Sequence, residues 1–110
     1  MKLTQTNGTS LLDIMSVGFD DLIEIFGEPT YPDGDGYKTD KEWEVQTPHG
    51  VATIYNWKDG ENYNGVEGMD AEHITEWHIG GHNIQTARYI QNLCSNKTHS
   101  EENNIENPTK

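Results

Sequence analysis

The clearest periodic segment is VGFDDLIEIF at residues 17–26, where Phe19, Leu22, Ile23 and Phe26 fall at the i, i+3, i+4, i+7 spacing of one apolar stripe on a helix. Asp20 and Asp21 lie in its first turn, where the helix dipole favours carboxylates, and Ser16 stands where an N-cap is expected. Gly27 suits the left-handed position just past the helix, and Pro29 forbids continuation. TYPDGDGYKTDK (30–41) is crowded with Gly, Pro and Asp and predicts a loop. EWEVQT (42–47) then alternates, with Trp43, Val45 and Thr47 on one side and Glu42, Glu44 and Gln46 on the other, the pattern of a half-buried strand. Pro48, His49 and Gly50 turn the chain, and VATIYNW (51–57) returns it as the second arm of an antiparallel hairpin.

KDGENYNGVEGM (58–69) is a polar, Gly-rich loop too long for a tight turn, and loops of this length in compact domains are usually functional. Ile74 to Ile79 predicts a third strand, ended by Gly80–Gly81, and Asn83 caps a final helix with Ile84, Ala87, Ile90 and Cys94 near one face. SLLDIM at 10–15 fits a strand or a short helix, and Leu3 to Thr6 an edge strand. From Asn96 to Lys110 the one sizeable apolar residue is Ile105, which predicts a disordered polar tail. The expected architecture is a single α+β domain over residues 1–95, a small antiparallel sheet of the hairpin plus a third strand covered by two helices, followed by the tail at 96–110.

Charge narrows the function classes. The chain carries 19 Asp and Glu against 7 Lys and Arg, a formal net charge of −12 over 110 residues. Gripping a phosphate backbone or an anionic membrane needs a basic face, so neither general DNA or RNA binding nor membrane association is expected. No apolar run reaches the ~18 residues of a membrane span or has the form of a signal peptide. Leu, Ile, Val and Phe number only 20, which leaves a thin core and favours self-association into a homo-oligomer. The single cysteine, Cys94, excludes an intramolecular disulfide and fits a reducing cytoplasm, where the sequons at Asn7 and Asn96 stay unglycosylated.

The chain holds no GxGxxG, Walker A, GxSxG or HExxH motif, and no carboxylate pair stands out as acid and base, so no enzyme activity and no cofactor is expected. DGDGYKTD begins like a calcium loop, but its Gly falls at the fourth position instead of the sixth, so only ligand chemistry at Asp33, Asp35 and Asp40 speaks for a cation. His78 and His82 flank a glycine pair, and on a strand they would stand about 13 Å apart, too far to share a metal. Cys94 reads as a buried, inert thiol.

More informative is the company kept by the few cations. Lys38 follows Gly36–Tyr37, Lys58 follows Tyr55-Asn56-Trp57 and precedes a loop with Tyr63, and His78 with Gly80 and Gly81 stands beside Trp77. Aromatic faces stack on bases, glycines admit phosphates to the backbone, and isolated cations neutralise one or two phosphates. The plainer reading packs Trp43, Tyr55 and Trp57 on the first helix and leaves the lysines to solubilise turns. The candidate ligand-binding residues are Tyr37, Lys38, Tyr55, Trp57, Lys58, Tyr63, Trp77, His78, Gly80, Gly81 and Arg88.

The pieces FGEPTYPDGDGYKTDKEW, TPHGVATIYNWK and ITEWHIGGHN, in that order over about residues 16–93, resemble small proteins encoded by tailed bacteriophages, many of which inhibit host immunity. The resemblance implies counter-defence in the host cytoplasm. One mechanism is a sponge that sequesters a small anionic nucleotide, such as a cyclic di- or oligonucleotide messenger, in a pocket shared between subunits, with Lys38, Lys58 and Arg88 facing the phosphates. A second is mimicry of nucleic acid by an acidic face of Asp20, Asp21, Glu24, Glu28, Glu42, Glu44, Asp59 and Glu61, which would block a basic defence nuclease. A virion accessory role is the third.

Overall fold

The computed structural model describes residues 10–106, with side chains through Ser95. Its elements run β1 (Ser10–Ser16), α1 (Phe19–Phe26), β2 (Glu42–Thr47), β3 (Gly50–Tyr55), α2 (Glu61–Asn64), β4 (Glu76–Gly81) and α3 (Ile84–Glu106), with 3₁₀ turns at Gly65–Glu67 and Ala71–His73. The four strands form one antiparallel sheet in the order β1-β4-β3-β2, so the expected α+β architecture holds with a fourth strand from SLLDIM. The hairpin pairs Trp43 with Ile54 and Val45 with Ala52, the register that its alternation demands.

Strand pairing sorts the side chains into two faces. Trp43, Ile54 and Ile79 share one row and point at α1 and α3, where they meet Leu22, Ala87, Ile90 and Cys94 in the core. The interior is unusually aromatic: Phe19, Trp43 and Trp77 meet pairwise at centroid distances of 5.9, 6.2 and 5.5 Å. Trp43 Nε1 donates to the Gly27 carbonyl at 2.9 Å, pinning the end of α1 to β2, and Gly27 reaches its cap geometry with φ +82°. Glu42, Tyr55, His78 and Ile14 form the row on the opposite face.

Four local expectations shift. Ser16 does not cap α1, because it ends β1 opposite Glu76, and the N-cap falls on Gly18 without a side-chain bond. The third strand begins two residues later than its apolar pattern, at Glu76, and includes Gly80 and Gly81. Asn83 does cap α3, its Oδ1 accepting from Thr86 N at 3.2 Å, but Ile84 at its start is exposed. The backbone of α3 continues to Glu106, past the end of the apolar stripe. The predicted strand at Leu3–Thr6, the side chains of the predicted tail from Asn96 and residues 107–110 lie outside the described residues.

Candidate functional site

Two loops rise at the end of the hairpin and are built from Asn and Asp side chains. In the first, Asp35 Oδ1 accepts from the backbone N–H groups of Tyr37, Lys38 and Thr39 at 2.8, 2.8 and 3.0 Å, while Asp35 N donates to Thr39 Oγ1 at 2.7 Å. Partial burial pushes this carboxyl's pKa up, but the hydrogen bonds together outweigh it and hold the group below its usual value. Asn56, fully buried at the end of β3, joins this loop to the next: its Oδ1 accepts from Asp40 N and Lys41 N, and its Nδ2 donates to Asp40 and Asp59. Asn62 closes the second clamp, donating from Nδ2 to the carbonyls of Asp33 and Thr39, both at 3.0 Å. Gly60 lies so close to the Asp40 carboxylate that any Cβ there would collide with it.

Lys58 is the one non-glycine residue with positive φ among the described residues, at +62°. Its backbone is clamped on both sides, with N–H donating to Lys38 O at 2.7 Å and C=O accepting from Asn64 Nδ2 at 3.0 Å. A left-handed lysine is uncommon, and such conformations persist where surrounding bonds enforce them.

The framework presents a closed circuit of rings and ammonium groups. Lys38 Nζ lies 5.4 Å from the Tyr37 ring centroid and 5.5 Å from that of Trp57. Lys58 Nζ lies 5.7 Å from Trp57 and 5.5 Å from Tyr63. Tyr63 and Tyr37, 5.4 Å apart, complete the ring. Tyr37, Trp57 and Tyr63 are 56, 41 and 40% exposed, so each ring is reached by solvent beside its ammonium neighbour. On the sheet side Trp57 stacks near His78 at 6.5 Å and 28°, and Tyr55 touches both, at 6.2 Å from Trp57 and 5.5 Å from His78. Burial, and after it the charge of Glu42, push the Tyr55 phenol above its usual pKa, so it remains an O–H donor beside the platform.

Tyr37, Lys38, Tyr55, Trp57, Lys58, Tyr63 and His78 thus converge as the aromatic and cation pattern anticipates. The other candidates lie elsewhere. Trp77 is fully buried in the core, its Nε1 donating to Ile74 O at 3.2 Å, because it alternates with His78 and faces the helices. Gly80 and Gly81 lie in a central strand with partners on both sides, so their N–H groups serve the ladder and not a phosphate. Their role is steric: a Cβ on Gly80 would stand 2.7 Å from Thr53 Oγ1 and 3.5 Å from the Tyr55 ring, and one on Gly81 would stand 2.5 Å from Thr86 Oγ1. Gly80 therefore makes room for the Thr53 hydroxyl, and Gly81 for that of Thr86. Arg88 sits on α3, over the helix-covered face, where its charge acts on Asp13.

The clamp residues Asp35, Asp40, Asn56, Asn62 and Asn64 escape the sequence reading. Their only signal is the density of Asx residues in two neighbouring loops, which fixes turns without saying which loop each one binds. Asp35 and Asp40 are engaged in these clamps, and among the described residues no three His, Cys, Asp or Glu side chains are placed to hold a metal ion. A nearby recess of about 220 Å³ is lined by Asp33, Asp40, Glu61 and Asp70 with Lys41, a balance that repels an anion, and no platform ring lines it. The acidic residues assigned to nucleic-acid mimicry do not form one face: Glu42 is buried, and Glu44 lies on the sheet face away from α1.

No protein-family model matches the chain, nor does any curated protein or solved structure. No helix among the described residues is long and apolar enough to cross a membrane.

Proposed function

We propose that this protein is a non-enzymatic binding protein that sequesters a small anionic nucleotide, of the cyclic di- or oligonucleotide messenger class. Bases stack on Tyr37, Trp57 and Tyr63, phosphates meet Lys38 and Lys58, and the Tyr55 hydroxyl and His78 ring bound the site on the sheet side. The observation that carries this reading is the closed circuit of three exposed rings and two ammonium groups. Stacking on an aromatic face is worth about 1–3 kcal/mol per base, and it is the natural use of open rings interleaved with cations.

The net charge of −12 opposes an anionic ligand at long range, but screening confines that repulsion to about 8 Å in physiological salt. Inside that radius the lysines are available to a phosphate, because neither ammonium is paired with a carboxylate among the described residues. The platform is an open surface, and a second copy of the chain laid over it would supply the missing wall. Joined to the resemblance to small phage proteins, the proposal is a stoichiometric counter-defence sponge acting in the host cytoplasm.

Isothermal titration calorimetry against a panel of cyclic mono-, di- and oligonucleotides tests this directly. Heat with saturation at a fixed ratio of ligand to subunit is expected for at least one member. Absence of heat and of any thermal shift across the panel removes the proposal.

A further inference from the structure

We infer that the site admits only ligands carrying a base and a phosphate in one molecule, because Lys38 and Lys58 already occupy the ring surroundings on which a base must stack. The inference rests on the nucleotide reading above and sharpens it to a rule of selection.

Each of the three open rings has an ammonium within the ~6 Å over which a cation is held by an aromatic face: Lys38 on Tyr37 and Trp57, Lys58 on Trp57 and Tyr63. A base arriving at Trp57 must move at least one of them. A nucleoside offers the displaced ammonium only neutral acceptors on the base edge and ribose. A nucleotide offers a phosphate oxygen, and the charge-assisted bond to it replaces the contact with the ring. Inorganic pyrophosphate draws the lysines away but puts nothing against the three rings that lose them.

The lysines are set up for such an exchange. In a chain with 19 carboxylates, neither is ion-paired among the described residues, so no salt bridge has to break first. Lys58 is fixed at its backbone by Lys38 O and Asn64 Nδ2, so only its four-carbon stem swings. The same bond ties the two lysine backbones together, and one ligand meets both ammonium groups without movement of either loop.

Tryptophan fluorescence reads the exchange, since Trp57 is 41% exposed while Trp43 and Trp77 are 1 and 0%. The intact protein is titrated with cyclic di-AMP, cyclic di-GMP, adenosine, guanosine and sodium pyrophosphate. At least one dinucleotide is expected to perturb Trp57 at concentrations tenfold or more below either nucleoside, from about one decade per displaced contact pair, with pyrophosphate weaker still. Lys38→Ala should move the two classes in opposite directions, weakening the dinucleotide about tenfold and strengthening the nucleoside several-fold. Lys38→Gln repeats the comparison with the stem retained, and thermal midpoints of both variants confirm folding. Nucleosides binding the wild type as tightly as dinucleotides, or both classes weakening together in both variants, overturns the selection rule and leaves stacking intact. Pyrophosphate matching the dinucleotides reduces the site to an anion patch and also overturns it. Silence from every probe overturns the selection rule, and the calorimetric panel above then decides the nucleotide reading separately.

Discussion

The backbone N–H of Lys58 donates to the carbonyl of Lys38 at 2.7 Å, so the two cations that flank Trp57 are tied together through the main chain although they lie on different loops. The bond forms because Lys58 adopts φ +62°, a region that disfavours side chains branched at Cβ.

Lys58→Gly is therefore expected to fold with a thermal midpoint close to that of the wild type, since glycine takes positive φ freely. Lys58→Val should lose about 1–3 kcal/mol, because a β-branched side chain at that backbone geometry is strained. Chemical denaturation of the two variants checks the contrast. Equal stability of both would show that the left-handed geometry is not held in solution.

Asn56 makes four hydrogen bonds while fully buried, and it is the joint between the loop carrying Lys38 and the loop carrying Lys58. Asn56→Ala orphans two backbone donors at once and should cost about 2–4 kcal/mol. Asn56→Asp keeps the acceptor but sets a carboxylate against Asp40 and Asp59, so its deficit should shrink in acid. Urea midpoints at pH 7 and pH 5 measure both effects.

Below about pH 4 the first loop should loosen. The Asp35 carboxyl has a folded pKa below its unfolded value of about 3.9, so its contribution is present above that pH and lost as pH falls through the folded pKa. Asp35→Asn mimics the protonated form. The difference in thermal midpoint between wild type and Asp35→Asn is thus expected at pH 7 and should shrink as the pH is lowered below about 3.9; a constant difference would contradict the role given to the carboxylate.

Cys94 faces the core from α3, and burial, with a smaller contribution from Asp21, pushes its thiol up to about 11. It remains protonated at neutral pH and should resist alkylation in the native protein, reacting at the rate of a free thiol only after denaturation. Rapid native labelling by iodoacetamide, followed by intact mass, would place Cys94 outside the core.

Local periodicity made much of the fold legible. The stripe Phe19, Leu22, Ile23, Phe26 and the stop at Gly27 and Pro29 located α1 to within two residues, and alternation from Trp43 to Tyr55 set the hairpin register. Gly80 and Gly81 misled because a glycine pair normally ends a strand, whereas here absent side chains make room for Thr53 and Thr86. Trp77 misled for a related reason: company with His78 and Gly80 in sequence says nothing of face, and adjacent strand residues point to opposite sides. The convergence of Tyr37, Trp57 and Tyr63 needed tertiary contacts between Asp40, Asn56 and Asn62 that no local pattern encodes.

The most direct test of the account is a native mass spectrum of the intact protein incubated with cyclic di- and oligonucleotides, beside the Trp57→Ala variant. Trp57 is partly exposed and leaves the Phe19–Trp43–Trp77 core untouched, so the variant should keep the wild-type fold within about 1 kcal/mol. The expected result is a mass increment equal to a whole number of one nucleotide on the wild type, reported together with the subunit count, and its loss in the variant. Spectra without an increment for any nucleotide, or an increment that Trp57→Ala leaves unchanged, would contradict a stacking site on this ring.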